Sequence, residues 1–162
     1  MNWVIRKLNK LKYHTNLIEL FKPICEEINN HNWIISDFEF NGCDNFHELP
    51  INYEEEYFIL KPEQFKRVID SGMQMIWGVI LAVPLDVKIE ISNELVPFIE
   101  SNPFIFEDGH IQYQEAVMEI DCFDSSYTIV KFKDEVLSNK FTGYFDEAVA
   151  LDKFRSKHTK NE

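Results

Sequence analysis

From Leu17 to Ile28 the apolar residues Leu17, Leu20, Phe21, Ile24 and Ile28 recur at intervals of three and four, with Ile18 beside them, the spacing of an amphipathic helix with one core-facing stripe. Thr15 stands where a cap for that helix is expected. Pro23 falls inside the pattern, where a lost amide and a ring clash cost roughly 3 kcal/mol, so the helix should kink or divide there. Over Trp33 to Phe40 the pattern changes to alternation. Ile34, Ser36, Phe38 and Phe40 share one face and Trp33, Ile35, Asp37 and Glu39 the other, which reads as a half-buried strand. The turn-forming stretch NGCDNFHELPINY, Asn41 to Tyr53, should be the longest loop.

Glu56 to Leu60 predicts a short strand, and Pro62 suits the first turn of a helix that runs to about Asp70 and stops at Gly72, with Phe65, Val68 and Ile69 facing inward. Met75 to Val83 is an almost unbroken apolar run ended by Pro84, the mark of a central strand buried on both faces. Val87 to Ile91 alternates with Lys88 and Glu90 and predicts a neighbouring, more exposed strand; Ser92 would cap a short helix reaching Glu100. Asp108-Gly109, between Phe104 to Glu107 and His110 to Gln114, carries a hairpin signal. Ala116 to Phe123 and Tyr127 to Lys133 read as two strands joined through Asp124, Ser125 and Ser126. Asp134 to Arg155 reads as a helix broken near Thr142-Gly143. The sum is an α+β single domain spanning residues 1–162, with a mostly antiparallel sheet of five or six strands and three or four helices.

Composition agrees with a folded chain: 162 residues, 45% apolar, are about one domain's worth. Charge adds more. The net charge is −12, yet residues 1–12 hold Arg6, Lys7, Lys10 and Lys12 with no acid, and residues 153–162, which look frayed, hold a net of three positive charges, so residues 13–152 carry −19. Such a body repels polyanions and argues against direct nucleic-acid binding; it suits a basic protein partner. Seven acids, Asp37, Glu39, Asp44, Glu48, Glu54, Glu55 and Glu56, crowd into twenty residues that contain no Lys or Arg. With 14 Phe among the 14% aromatic residues, these acids are the expected partner-binding face, aromatic side chains anchoring and carboxylates steering. The basic segment 1–12 would form an amphipathic helix that touches the acidic body itself, an anionic membrane or nucleic acid.

Three widely spaced cysteines without CxxC predict no disulfide framework, and the N-terminus lacks the continuous apolar core of a signal peptide; a cytoplasmic location is expected. The longest apolar run, Met75 to Leu85, is about half the length a membrane-spanning helix needs. G-x-S-x-G, G-x-G-x-x-G, the phosphate loop and H-E-x-x-H are all missing from the sequence, so no catalytic residue is assigned. Cys43 and His47, flanked by Asp44 and Glu48, form the sole local cluster of metal-ligand types, an incomplete set; no metal or cofactor is expected. Cys122, mid-strand among apolar neighbours, reads as an inert buried thiol, and Ser125 and Ser126 as turn residues; Asp121, beside the apolar Ile120, Cys122 and Phe123, is the best candidate for a perturbed carboxylate, but a strand residue facing solvent is the preferred reading. If the chain is instead an uncharacterised small enzyme, Cys43, His47 and Asp121 are its first candidates.

The segments LIELFKPI (Leu17 to Ile24), the aromatic strand at Trp33, PEQFKRVID, the strand ending Ala82-Val83-Pro84, and CFDSSYTIVKFKD (Cys122 to Asp134) together resemble a family of small acidic bacterial proteins of unknown function, over about Leu17 to Asp134. In general type, acidic, aromatic-rich and without a catalytic signature, the chain is also similar to immunity proteins of bacterial toxin systems. That likeness implies a non-catalytic module that masks a basic surface of a partner toxin or nuclease.

Overall fold

The computed structural model describes residues 1–42 and 45–158. Among these, seven strands form one open, wholly antiparallel sheet: β1 (Asn2–Ile5), β2 (His31–Asn41), β3 (Tyr57–Leu60), β4 (Gln74–Pro84), β5 (Met118–Phe123), β6 (Tyr127–Phe132) and β7 (Val149–Ala150), in the order β3-β2-β4-β5-β6-β1-β7. Five helices accompany it: α1 (Leu17–Leu20), α2 (Glu27–Asn30), α3 (Pro62–Asp70), α4 (Glu135–Tyr144) and α5 (Leu151–His158). The fold is α+β as expected, with more strands and helices than the pattern implied.

The departures have local causes. Asn2–Ile5, expected in a cationic helix, is instead a strand between β6 and β7, because Val4 and Ile5 can be buried on opposite faces of the sheet there. Beyond it, Lys10 lies 3.5 Å from Asp146 and over the ring of Tyr144, so the basic segment does meet the chain's own acids. Thr15 does not cap α1. It is buried at φ 60 and its hydroxyl donates to the Met75 carbonyl, while Asn16 accepts the Glu19 amide. At Pro23 the chain takes a 3-10 turn, Lys22–Ile24, and α2 follows separately. α3 begins at Pro62, buries Phe65, Val68 and Ile69, and ends at Gly72, whose φ of 69 favours glycine.

Two cores lie on the two faces of the sheet. The first packs α1 to α4 against Trp33, Ile35, Ile80, Ile120 and Val130, centred on Trp33 stacked 4.1 Å from Phe65. The second holds Ile34, Val79, Leu81 and Ile129 under Ile99, Ile105 and Leu151. Its cover is residues 85–116, which form no strand; the expected strand at Val87–Ile91 and hairpin about Asp108-Gly109 are not there, and 3-10 turns stand at Asn93–Leu95 and Pro103–Phe106. Val87, Ile89 and Ile91 still pack on the sheet while Lys88 and Glu90 are exposed, so the alternation reflects a chain lying across the face without pairing as a strand; its polar contacts go to tyrosine hydroxyls, the Glu90 amide donating to Tyr113 and the Ile91 carbonyl accepting from Tyr57. This covering strap is the element that shapes the candidate site.

β2 also departs from simple alternation. Its pairing with β4 slips between Ser36 and Glu39, where Asp37 and Phe38 oppose Gly78; Asp37 has φ 48 and Gly78 φ 152. The bulge moves Phe38 and Phe40 onto the first core with Trp33 and Ile35, whereas unbroken alternation would set them opposite. A Cβ on Gly78 would lie 2.6 Å from Met75 Sδ, in a backbone conformation that L residues rarely adopt. Gly78→Ala is expected to lower stability by about 1–3 kcal/mol in urea unfolding; an unchanged midpoint would show that this bulge carries no conformational demand.

Candidate partner-binding groove

The bulge fixes the position of two side chains that hold the strap. Ser36 Oγ donates to the Pro97 carbonyl at 2.7 Å, a buried bond, and Asp37 Oδ2 accepts the backbone amides of Ile99 at 2.7 Å and Glu100 at 3.3 Å. The strap is further tied by Gln112 Oε1, which accepts from the Phe98 amide and from Asn102 Nδ2, each at 3.0 Å. Asp37 is therefore a structural anchor as well as an acid of the expected face.

Between the bulge, the strap and the turn before β3 lies a groove of about 360 Å³. Asn52 shapes that turn: its Oδ1 accepts the Glu54 amide at 3.1 Å. The groove is lined by the rings of Phe38, Phe58, Phe98 and Tyr53 and by the acids Asp37, Glu55 and Glu56. A second hollow, of about 500 Å³, shares Asp37 and Phe38 and continues along Glu39, Trp77 and Glu100. The walls are ordered by ring contacts, Phe38 edge-on to Phe58 at 5.7 Å and stacked on Phe40 at 5.1 Å. Tyr53 and Phe98 are 52% and 47% exposed, so a ligand entering the groove meets aromatic surface directly.

Electrostatically the groove is one-sided. No Lys or Arg lines either hollow, and the described ion pairs all lie elsewhere, as with Lys22–Glu19, Lys66–Asp70 and Lys140–Glu26. Of the seven acids expected at a binding face, Asp37, Glu39, Glu55 and Glu56 border these hollows; Glu54 is exposed beside them and lines neither. Glu48 stands apart, on the 3-10 turn Phe46–Glu48, where its carbonyl accepts from the Arg67 guanidinium. Asp44 and Cys43 lie outside the described residues. Sequence reasoning missed Glu100, Trp77 and Phe98, which the strap and β4 bring in from more than thirty positions away; no local signal marks them.

Of the residues of the enzymatic alternative, Cys43 lies outside the described residues. His47 packs against the Phe46 ring at 3.7 Å, and neither His47 nor Asp121 lines either hollow. Among the described residues no group of three or more His, Cys, Asp or Glu is placed to hold a metal ion, and no helix is long and apolar enough to cross a membrane. Cys122 is buried, with its thiol pushed well up by desolvation and then by Asp121. No protein-family model, curated protein or solved structure matches this chain.

Asp121, expected to face solvent, is fully buried on the second face beside two other charged side chains. Glu119 and Lys131 stand directly opposite in the β5–β6 ladder, with Lys131 Nζ 2.5 Å from Glu119 Oε1 and 3.1 Å from Asp121 Oδ2. Glu119 Oε2 accepts the Gln112 amide at 2.6 Å, which ties the triad to the strap, while Asp121 Oδ1 has no hydrogen-bond partner among the described residues. Desolvation, then the Glu119 carboxylate, push the Asp121 carboxyl well above its usual range against the pull of Lys131. An unfolded Asp ionises near 3.8 whereas the folded one holds its proton to higher pH, so between the two ionisations the folded state binds more protons and stability falls as pH rises. Asp121→Asn is expected to remove much of that decline, seen by comparing urea midpoints at pH 4.5 and pH 8; a variant as pH-dependent as the parent would contradict the assignment. Lys131→Met, which leaves the buried Glu119 carboxylate without its cation, is expected to cost about 3–5 kcal/mol in the same measurement.

Proposed function

We propose that this chain is a non-catalytic protein-binding module of immunity or inhibitor type, which masks a basic surface of a partner such as a toxin or nuclease. The observation that carries the reading is the groove and the hollow that adjoins it: the rings of Phe38, Tyr53, Phe58 and Phe98, two of them exposed, line the groove together with Asp37, Glu55 and Glu56, Glu39 and Glu100 line the adjoining hollow, and no Lys or Arg lines either. Aromatic anchors at the centre and carboxylates at the rim are the composition of an interface that reads a cationic partner, and a body of net −19 would attract that partner from a distance. The resemblance in type to small acidic bacterial proteins and to immunity proteins supports the same reading, for which a cytoplasmic location is proposed. Cofactors have no part in it.

The test begins with capture of partners from the native host on the immobilised chain, followed by purification of the captured protein. Its activity is expected to be blocked at stoichiometric ratio, and Glu55→Lys with Glu56→Lys to weaken binding roughly tenfold and flatten its salt dependence. Binding that is indifferent to this double variant and to salt, or a partner whose activity is untouched, would reject the reading.

A further inference from the structure

The groove differs from a generally acidic surface in one respect: three carboxylates, Asp37, Glu55 and Glu56, line the same hollow as four aromatic rings. Phe38 and Phe58 form one corner, Tyr53 faces Phe38 at 6.3 Å between ring centres, and Phe98 closes the strap side. A volume of about 360 Å³ admits one long side chain rather than a folded surface. Among the described residues, the hydrogen bonds to the Asp37 carboxylate come from the strap to Oδ2, and none reaches the carboxylates of Glu55 or Glu56. A ligand entering this slot must therefore offer a flat face to aromatic rings and several N–H donors to carboxylates at their edge.

Of the protein cations, arginine alone does both. Its planar guanidinium is weakly hydrated, stacks on rings and forks onto carboxylates, whereas the lysine ammonium is a compact, strongly hydrated point charge. Resting on the binding reading above, we infer that the groove is a subsite for a single arginine side chain of a protein partner, lying against the rings that line it, Phe38, Tyr53 and Phe98, with Glu55 and Glu56 as its acceptors. Arginine recognition would then be the point of specificity, and the remaining negative charge would serve encounter.

The experiment is a two-dimensional NMR titration of the full chain with capped Gly-Arg-Gly, Gly-Lys-Gly and Gly-citrulline-Gly peptides. The arginine peptide is expected to shift the amides of residues 37–39 and of Val96, Phe98 and Ile99, and the ring signals of Phe38 and Phe98. The lysine peptide should bind about fivefold more weakly, and the uncharged citrulline peptide should leave those signals in place. Phe98→Ala, at an exposed position, should weaken arginine binding by a similar factor while leaving the fold intact, as should Glu55→Gln with Glu56→Gln. Equal response to arginine and lysine, shifts spread over the acidic surface, or indifference to Phe98→Ala would overturn the inference. The captured partner separates the two levels. If it still binds in a manner that depends on Glu55 and Glu56 but not on Phe98, the arginine subsite fails and the binding reading stands; if it binds independently of all three, both fail.

Discussion

The bulge in β2 is the feature on which the rest of this architecture depends. At Asp37 and Phe38, opposite Gly78, one additional residue enters the strand, and two consequences follow from the same few dihedral angles. Phe38 and Phe40 turn toward the helical core, and the Asp37 carboxylate turns toward the strap, where it accepts the amides of Ile99 and Glu100. A carboxylate bond to backbone amides is among the stronger hydrogen bonds available to a folded chain. It pins an otherwise irregular segment at the place where the segment borders the groove.

The strap has few regular hydrogen bonds of its own, so its order comes from what it packs on and from side chains that reach it. Ile99 and Ile105 are buried in the second core, Ser36 and Asp37 hold one part, and Glu119 holds Gln112 from the buried triad. Gln112 in turn accepts the Phe98 amide. Buried charge thus has a structural role on this face: Lys131 neutralises Glu119, and Glu119 orders the strap segment that presents Phe98 to the groove. An ion pair so buried is weak evidence for net stability, but breaking it would leave an uncompensated charge within the core.

Much of the scaffold was legible in the pattern. The unbroken run at Met75–Val83 is the doubly buried β4, Pro62 and Gly72 bound α3, and Asp124 to Ser126 turn between β5 and β6 with Asp124 and Ser125 at positive φ. β1 and β7 were not legible, since four and two residues are too short to show a period. Alternation at Val87–Ile91 reported which side chains face the sheet, not whether the backbone pairs. Alternation through Trp33–Phe40 failed because periodicity carries no mark for a bulge; only the positive φ at Asp37 and the glycine across the ladder reveal it. The acidic cluster was visible as composition, yet which acids border the groove was decided by long-range contacts. For the same reason Asp121 was misread: its partner Lys131 is on another strand.

Amide hydrogen exchange on Asp37→Ala tests the central claim most directly. If the bulge carboxylate holds the strap, protection at Ile99 and Glu100 falls sharply in the variant and follows along residues 96–100, while amides in β4 and β5 keep the protection of the parent chain. Unchanged protection at those two amides would contradict the account, because the groove would then owe its shape to something other than this one carboxylate.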